Sequence, residues 1–195
     1  MTADLASKIT ACRICGQRFA RTETRHAPRP VVWFRPETRL VIIGQAPGAR
    51  VHKSGIPFDD ASGDRLRDWL GLDRDAFYCR KRVSILPMAF CFPGYDANGS
   101  DLPPPSICAE TWHEAALQII GAAPLTILVG GYAQKWHINR KATVTSTVSA
   151  WRDHAPALYP LPHPSWRNTG WVRKNPWFKA DLLPDLKARV QEVMK

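Results

Sequence analysis

Leu40-Val-Ile-Ile43 is apolar at all four positions and stops at Gly44. A run this short and β-branched, with no polar residue alternating through it, reads as a strand buried on both faces, as strands of a parallel sheet are. Three more runs follow the same rule. Val83-Ser-Ile-Leu86 ends at Pro87, Leu125-Thr-Ile-Leu-Val129 ends at Gly130-Gly131, and Ala157 to Leu161 leads into Pro162-His-Pro164. Helical spacing fills the intervals. Ser62 is the expected N-cap of a helix carrying Leu66, Trp69 and Leu70. A helix from about Ser106 to Ile120 is expected to bury Ile107, Trp112, Leu117 and Ile120, and a short one spans Tyr132 to Trp136. A last helix runs from about Pro176 to Met194, with Pro176 in its first turn. Residues 138–150 are too polar to assign.

Strands alternating with helices predict an α/β class: a single domain over residues 1–195, with an open, mostly parallel four-stranded sheet flanked by helices. In such sheets the site lies outside the carboxyl ends of the strands. Here those ends are Gly44-Gln45-Ala46-Pro47-Gly48, Pro87 to Cys91, Gly130-Gly131 and His163-Pro-Ser-Trp-Arg167. Before the first strand lies an Arg-rich segment at about 1–39, with seven Arg against two Glu between residues 13 and 39.

Composition narrows the class of partner. Hydrophobic residues make up 45% and charged ones 23%, which is globular and not disordered. The net charge is +10, and 18 of the 27 cations are Arg. That excess points to a polyanion, nucleic acid before an acidic membrane surface, against the plainer reading of a basic, solubilising surface. No apolar run approaches the roughly 20 residues of a membrane span. The N-terminus, MTADLASKIT, lacks the layout of a secretory signal, so a cytoplasmic location is expected.

Five Cys, an odd number, argue against a disulfide framework. Cys12 and Cys15 form Cys-x-x-Cys, and Cys91 and Cys108 flank a Pro-rich loop. Four thiolates from three segments suit either a cubane iron–sulfur cluster or tetrahedral zinc, with a metal-free chain as the third reading. Cys79 is left over as a free thiol.

Taken in order, the Cys-x-x-Cys, GQAPG after the first strand, GIPFDDASGDRL, the Cys pair after the second strand and HPSWRN after the last resemble the uracil-DNA glycosylase superfamily. The likeness is greatest to its bacterial and archaeal iron–sulfur branch. The resemblance implies a monofunctional glycosylase, acting as a monomer, that flips uracil out of DNA and hydrolyses its N-glycosidic bond. It places a 4Fe-4S cluster on Cys12, Cys15, Cys91 and Cys108, with zinc as the alternative. Gly44, Gln45, Ala46, Pro47 and Gly48 would form the loop facing the base and the attacking water. Phe58 would stack on uracil. His163 would donate to uracil O2 as the leaving group gains charge. Ser165 would grip a phosphate, and Trp166 or Arg167 would wedge into the duplex. Trp171, Arg173, Lys174 and Lys179 would extend the surface for the DNA backbone.

Two departures stand out. Relatives carry a carboxylate at the second or third position of the first loop, where this chain has Gln45 and Ala46. A carboxamide orients water but removes no proton, so either no strong base is needed or a nearby acid serves, Asp60 ahead of Asp59, with His52 a weaker candidate. The two Asp are equally suited to cap the helix that follows. Relatives also carry an Asn where this chain has Pro87, which moves base recognition to main-chain groups around Met88 and Ala89. The rival readings are a DNA-binding or damage-sensing module with weak catalysis, a glycosylase for hypoxanthine or xanthine, and a hydrolase of free nucleosides.

Overall fold

The computed structural model describes residues 2–195. Its centre is a four-stranded, all-parallel sheet: β1 (Leu40–Gly44), β2 (Val83–Pro87), β3 (Leu125–Val129) and β4 (Leu158–Leu161), in the order β2-β1-β3-β4. Around it lie α1 (Thr2–Thr10), α2 (Gly16–Ala20), α3 (Ala49–Ser54), α4 (Ala61–Leu70), α5 (Arg74–Phe77), α6 (Ser106–Ile120), α7 (Gly131–His137), α8 (Val144–Ser149), α9 (Thr169–Lys174) and α10 (Leu183–Val193). The expected α/β architecture is present. Among the described residues, no helix is long and apolar enough to cross a membrane.

The uninterrupted hydrophobicity of the strands follows from the two cores they separate. Successive strand residues point to opposite faces. Leu40 and Ile42 enter a core with Leu66, Trp69, Phe178 and Leu186, whereas Val41 and Ile43 enter another with Phe34, Phe90, Ala109 and Ala116. Ser84 is the one polar residue in β2, and it is buried. Its hydroxyl accepts from the Arg35 N–H at 3.0 Å and from Thr38 Oγ1 at 3.0 Å, which satisfies it and ties the N-terminal segment to the sheet. Trp33 pairs antiparallel with Ile85 of β2, so the same segment covers an edge strand that would otherwise be open.

Several helix expectations need correction. Asp60, not Ser62, caps α4: its carboxylate accepts from the Gly63 N–H at 2.9 Å. The bounds of α6 match, but its buried face is Ala109, His113, Ala116 and Ile120, while Ile107 is 43% exposed. Two Ala on that face let the helix approach the sheet closely, with Trp112 and Leu117 packed half-buried at its sides. The helix expected over Pro176 to Met194 is present but begins with a π-helical stretch at Phe178–Leu182 that leads directly into α10, and the separate α9 precedes it. Within 138–150, Thr143 and Ser146 cap each other's backbone N–H and start α8.

Candidate active site

β1 ends at Gly44, which Phe58 crowds: a Cβ added there would lie 3.3 Å from Phe58 Cζ. The chain then turns through Gln45–Gly48. Two amides beyond β2 hold this turn, Met88 N–H donating to the Gly44 carbonyl at 2.9 Å and Ala89 N–H to the Gln45 carbonyl at 3.1 Å. The turn forms one wall of a cavity of about 490 Å³. Gly44, Gln45, Ala46, Pro47 and Gly48 line it, and so do Phe58 and Asp60. His163, Ser165, Trp166 and Arg167 close it from beyond β4. Segments more than a hundred residues apart therefore meet at the carboxyl ends of parallel strands.

His163 has a defined hydrogen-bonding state. Burial pushes its pKa below 6.5, partly opposed by the nearby Asp60 carboxylate, so the ring is neutral at pH 7. Its Nδ1 accepts from the Ser165 N–H at 3.2 Å. A neutral imidazole with Nδ1 as acceptor carries its proton on Nε2, which makes His163 a donor in the cavity. The loop is fixed from both sides. Asn168 Nδ2 donates to the His163 carbonyl at 2.8 Å, and Arg65 of α4 donates to the Ser165 carbonyl at 3.1 Å and to Thr169 Oγ1 at 3.2 Å. Trp166 stands out at the rim, 77% exposed.

The acids separate. Asp59 pairs with Arg74 at 3.0 Å, outside the cavity, and that hydrogen bond lowers its pKa. Asp60 lines the cavity while one of its oxygens caps α4. Asp101, in the long loop before α6, also lines the cavity. Desolvation raises its pKa, Arg167 opposes that rise and Asp60 adds to it. Sequence reasoning passed over Asp101 because it sits in a Pro-rich connection without a motif. Pro87 lines the cavity, but Met88 does not; its side chain is buried in the core beside Phe34 and Phe90. The Met88 and Ala89 amides, already donated to the first loop, are not free to read a base. His52 also stays out of the cavity and packs against His26 and Phe92.

A family model for the uracil DNA glycosylase superfamily matches residues 31–187. The chain belongs to the uracil DNA glycosylase superfamily. Membership makes hydrolysis of a base–sugar bond the class of reaction and DNA the partner. The matched region begins after Cys12 and Cys15, so it leaves the branch of the superfamily undecided. Of the expected backbone-contacting residues beyond β4, Arg173, Lys174 and Lys179 are exposed, whereas Trp171 is half-buried and donates to Thr145 Oγ1 at 2.8 Å.

Cys12, Cys15, Cys91 and Cys108 line a second, smaller cavity of about 20 Å³, with Phe19, Phe90 and Trp112 among its walls. Cys79 is not part of it. The Phe90 N–H donates to Cys108 Sγ at 3.4 Å, and the Arg29 backbone donates to Cys91. Burial pushes the Cys91 thiol up to about 12 and the Cys108 thiol up to about 11. Among the described residues, no group of three or more His, Cys, Asp or Glu has the arrangement that would hold a metal ion.

Proposed function

We propose that the chain is a monofunctional uracil-DNA glycosylase that flips uracil from DNA and hydrolyses its N-glycosidic bond, leaving an abasic site. The observation that carries this reading is the neutral His163, Nε2–H donor, in one cavity with Phe58 and the Gln45–Gly48 loop. Breaking the bond leaves negative charge on the base and positive charge on the sugar. A fixed donor at the base oxygen gains strength as that charge develops, and this is where rate acceleration lies. Phe58 supplies the flat apolar face that a flipped base loses on leaving the duplex. Gln45 orients the water and Asp60 takes its proton through the oxygen not used in capping. Ser165 and Arg167 hold flanking phosphates, and the exposed Trp166 fills the vacated stack.

The four-cysteine pocket is the proposed seat of a 4Fe-4S cluster. Four thiols with apolar neighbours and N–H donors on two sulfurs fit the donor chemistry of such a cluster. A cluster distributes its thiolates over four irons, whereas zinc gathers them on one ion. The preference for the cluster over zinc rests on the resemblance to the iron–sulfur branch. When bound, the group ties the N-terminal segment to the loop after β2.

One observation favours a second reading. Pro87 lines the cavity where relatives carry Asn, and the adjacent amides are already bonded, which would suit hypoxanthine or xanthine in the same pocket. Alkali-induced strand cleavage of labelled oligonucleotides containing uracil, hypoxanthine or xanthine decides between them. Cleavage at uracil supports the first reading, and cleavage at a purine alone the second. No alkali-labile sites at enzyme excess would leave a DNA-binding module.

A further inference from the structure

Phe58 is held in the left-handed region, φ +54°. A bulky L-residue takes that conformation only where its surroundings impose it. The means are on view. The Phe58 carbonyl lies 3.1 Å from the Tyr78 hydroxyl and 3.4 Å from Arg67 Nη1, both donors to it. Tyr78 Oη is also 3.0 Å from the Pro57 carbonyl, so its one proton is shared between the two carbonyls, and Arg67 Nη1 donates to Tyr78 Oη at 3.2 Å. Arg67 is 7% exposed; the Asp64 carboxylate fixes its far nitrogen at 2.5 Å, and its guanidinium lies over the Phe77 and Tyr78 rings. Gly63 completes the seat, because a Cβ there would stand 1.7 Å from the Phe58 oxygen.

We propose that Arg67 and Tyr78 are positioning residues that clamp the Phe58 carbonyl, so that its ring stands as the stacking wall of the base pocket before DNA arrives. This rests on the reading of the cavity as a base pocket. Released from the clamp, residue 58 would relax toward negative φ and swing its ring off Gly44. The wall would then have to be ordered at each binding event, and that ordering would weaken binding. Arg67 itself is buried. It touches neither the cavity nor an exposed surface for DNA, and it spends its hydrogen bonds on Asp64, Tyr78 and the carbonyl behind the ring.

Tyr78→Phe removes one oxygen and keeps the ring. The measurements are inhibition of cleavage by free uracil, the single-turnover rate on uracil-containing DNA, affinity for undamaged duplex and the melting temperature. Losing a net hydrogen bond is expected to weaken inhibition by free uracil about 5- to 10-fold. The rate should fall with it, while affinity for undamaged duplex stays at the parent value. Arg67→Lys, which keeps the charge and loses the fork, should act in the same direction. If Phe58→Ala weakens inhibition by uracil but Tyr78→Phe and Arg67→Lys change only the melting temperature, the two residues hold the fold and the clamp is overturned. If Phe58→Ala leaves inhibition and rate unchanged, Phe58 is not the stacking ring, and the clamp loses its purpose. A parent enzyme neither inhibited by uracil nor active on uracil DNA overturns the underlying base-pocket reading itself.

Discussion

The larger cavity and the cysteine pocket are joined by one short stretch, since Pro87 lines the first and Cys91 the second. Their construction differs. The larger cavity is held by hydrogen bonds at every wall: amides of residues 88 and 89 on the first loop, Ser165 and Asn168 on His163, Arg67 and Tyr78 behind Phe58. The smaller one is lined by thiols and apolar side chains, with two N–H donors reaching its sulfurs. The first pocket takes its shape from strand ends and helix caps that the fold makes in any case. The second gathers an N-terminal segment around four half-buried thiols. Damage to the first should therefore change chemistry and spare the fold, and damage to the second should do the reverse.

The strongest test of that contrast is His163→Ala. Removing one donor aimed at developing charge costs on the order of 100- to 1,000-fold in rate. The single-turnover rate on uracil DNA should drop by that much, with melting temperature and duplex affinity held. A loss confined to affinity would assign His163 to DNA contact. Next in size is Asp60→Asn. Asn caps a helix about as well as Asp, so this change removes the charge and keeps α4. General-base contributions run at roughly 100- to 10,000-fold, so a fall of at least ~100-fold in single-turnover rate is expected. Gln45→Ala should cost less. If Asp60→Asn cleaves within a few-fold of the parent, Asp60 is only a cap, and Asp101→Asn becomes the measurement that tests the remaining free carboxylate of the cavity.

The same contrast explains what could be read in the sequence. The strands were legible because burial on both faces leaves an unmixed apolar run, and all four match within a residue of their ends. GQAPG and HPSWRN were legible because loops at strand ends carry their chemistry in contiguous residues. The buried face of α6 was not, since it depends on two Ala and on His113, whose ring meets His137 at 2.9 Å between Nε2 atoms. That pairing joins residues 24 apart in two helices and leaves no local signal. The left-handed Phe58 was equally hidden, because the expected residue for such a φ is Gly. Asp101 was hidden because only the path of the loop brings it to the cavity. Local pattern reported burial and turns; long-range polar contacts had to be seen.

On the cysteine side the expected effect on rate is smaller. Cys12→Ser or Cys91→Ser should abolish bound iron and open the segment up to about residue 30 to limited proteolysis. The single-turnover rate on uracil DNA should fall less than in His163→Ala. Protein purified without oxygen should show broad visible absorbance that bleaches on reduction, and Cys79→Ser should retain it. Stoichiometric zinc without iron would keep the four ligands and reverse the choice of group. Loss of metal in Cys79→Ser would break the assignment of ligands.

The smallest expected effect on rate is that of mild acid, and there the two properties part company. His163 has its pKa pushed below 6.5 by burial, so the neutral Nε2–H donor persists as the pH drops past 6.5. The acid limb of the single-turnover rate should therefore be centred below pH 6.5. An acid limb centred at or above pH 6.5 would mean an imidazole titrating as if in water. Stability should behave differently. His163, His113 and His137 all have folded pKa values depressed below the unfolded value of about 6.5, His113 to about 4, chiefly through burial. A group held neutral in the fold but free to charge when unfolded stabilises the protein above its unfolded pKa. That contribution is lost as the pH falls from about 6.5 toward the folded values. The melting temperature should thus decline between pH 6.5 and 4, while any acid limb of the rate is centred below pH 6.5. His113→Phe should flatten that decline, because it removes the most depressed of the three imidazoles. A rate that falls in step with the melting temperature would show that the base pocket is no more independent of the rest of the fold than the cysteine pocket is.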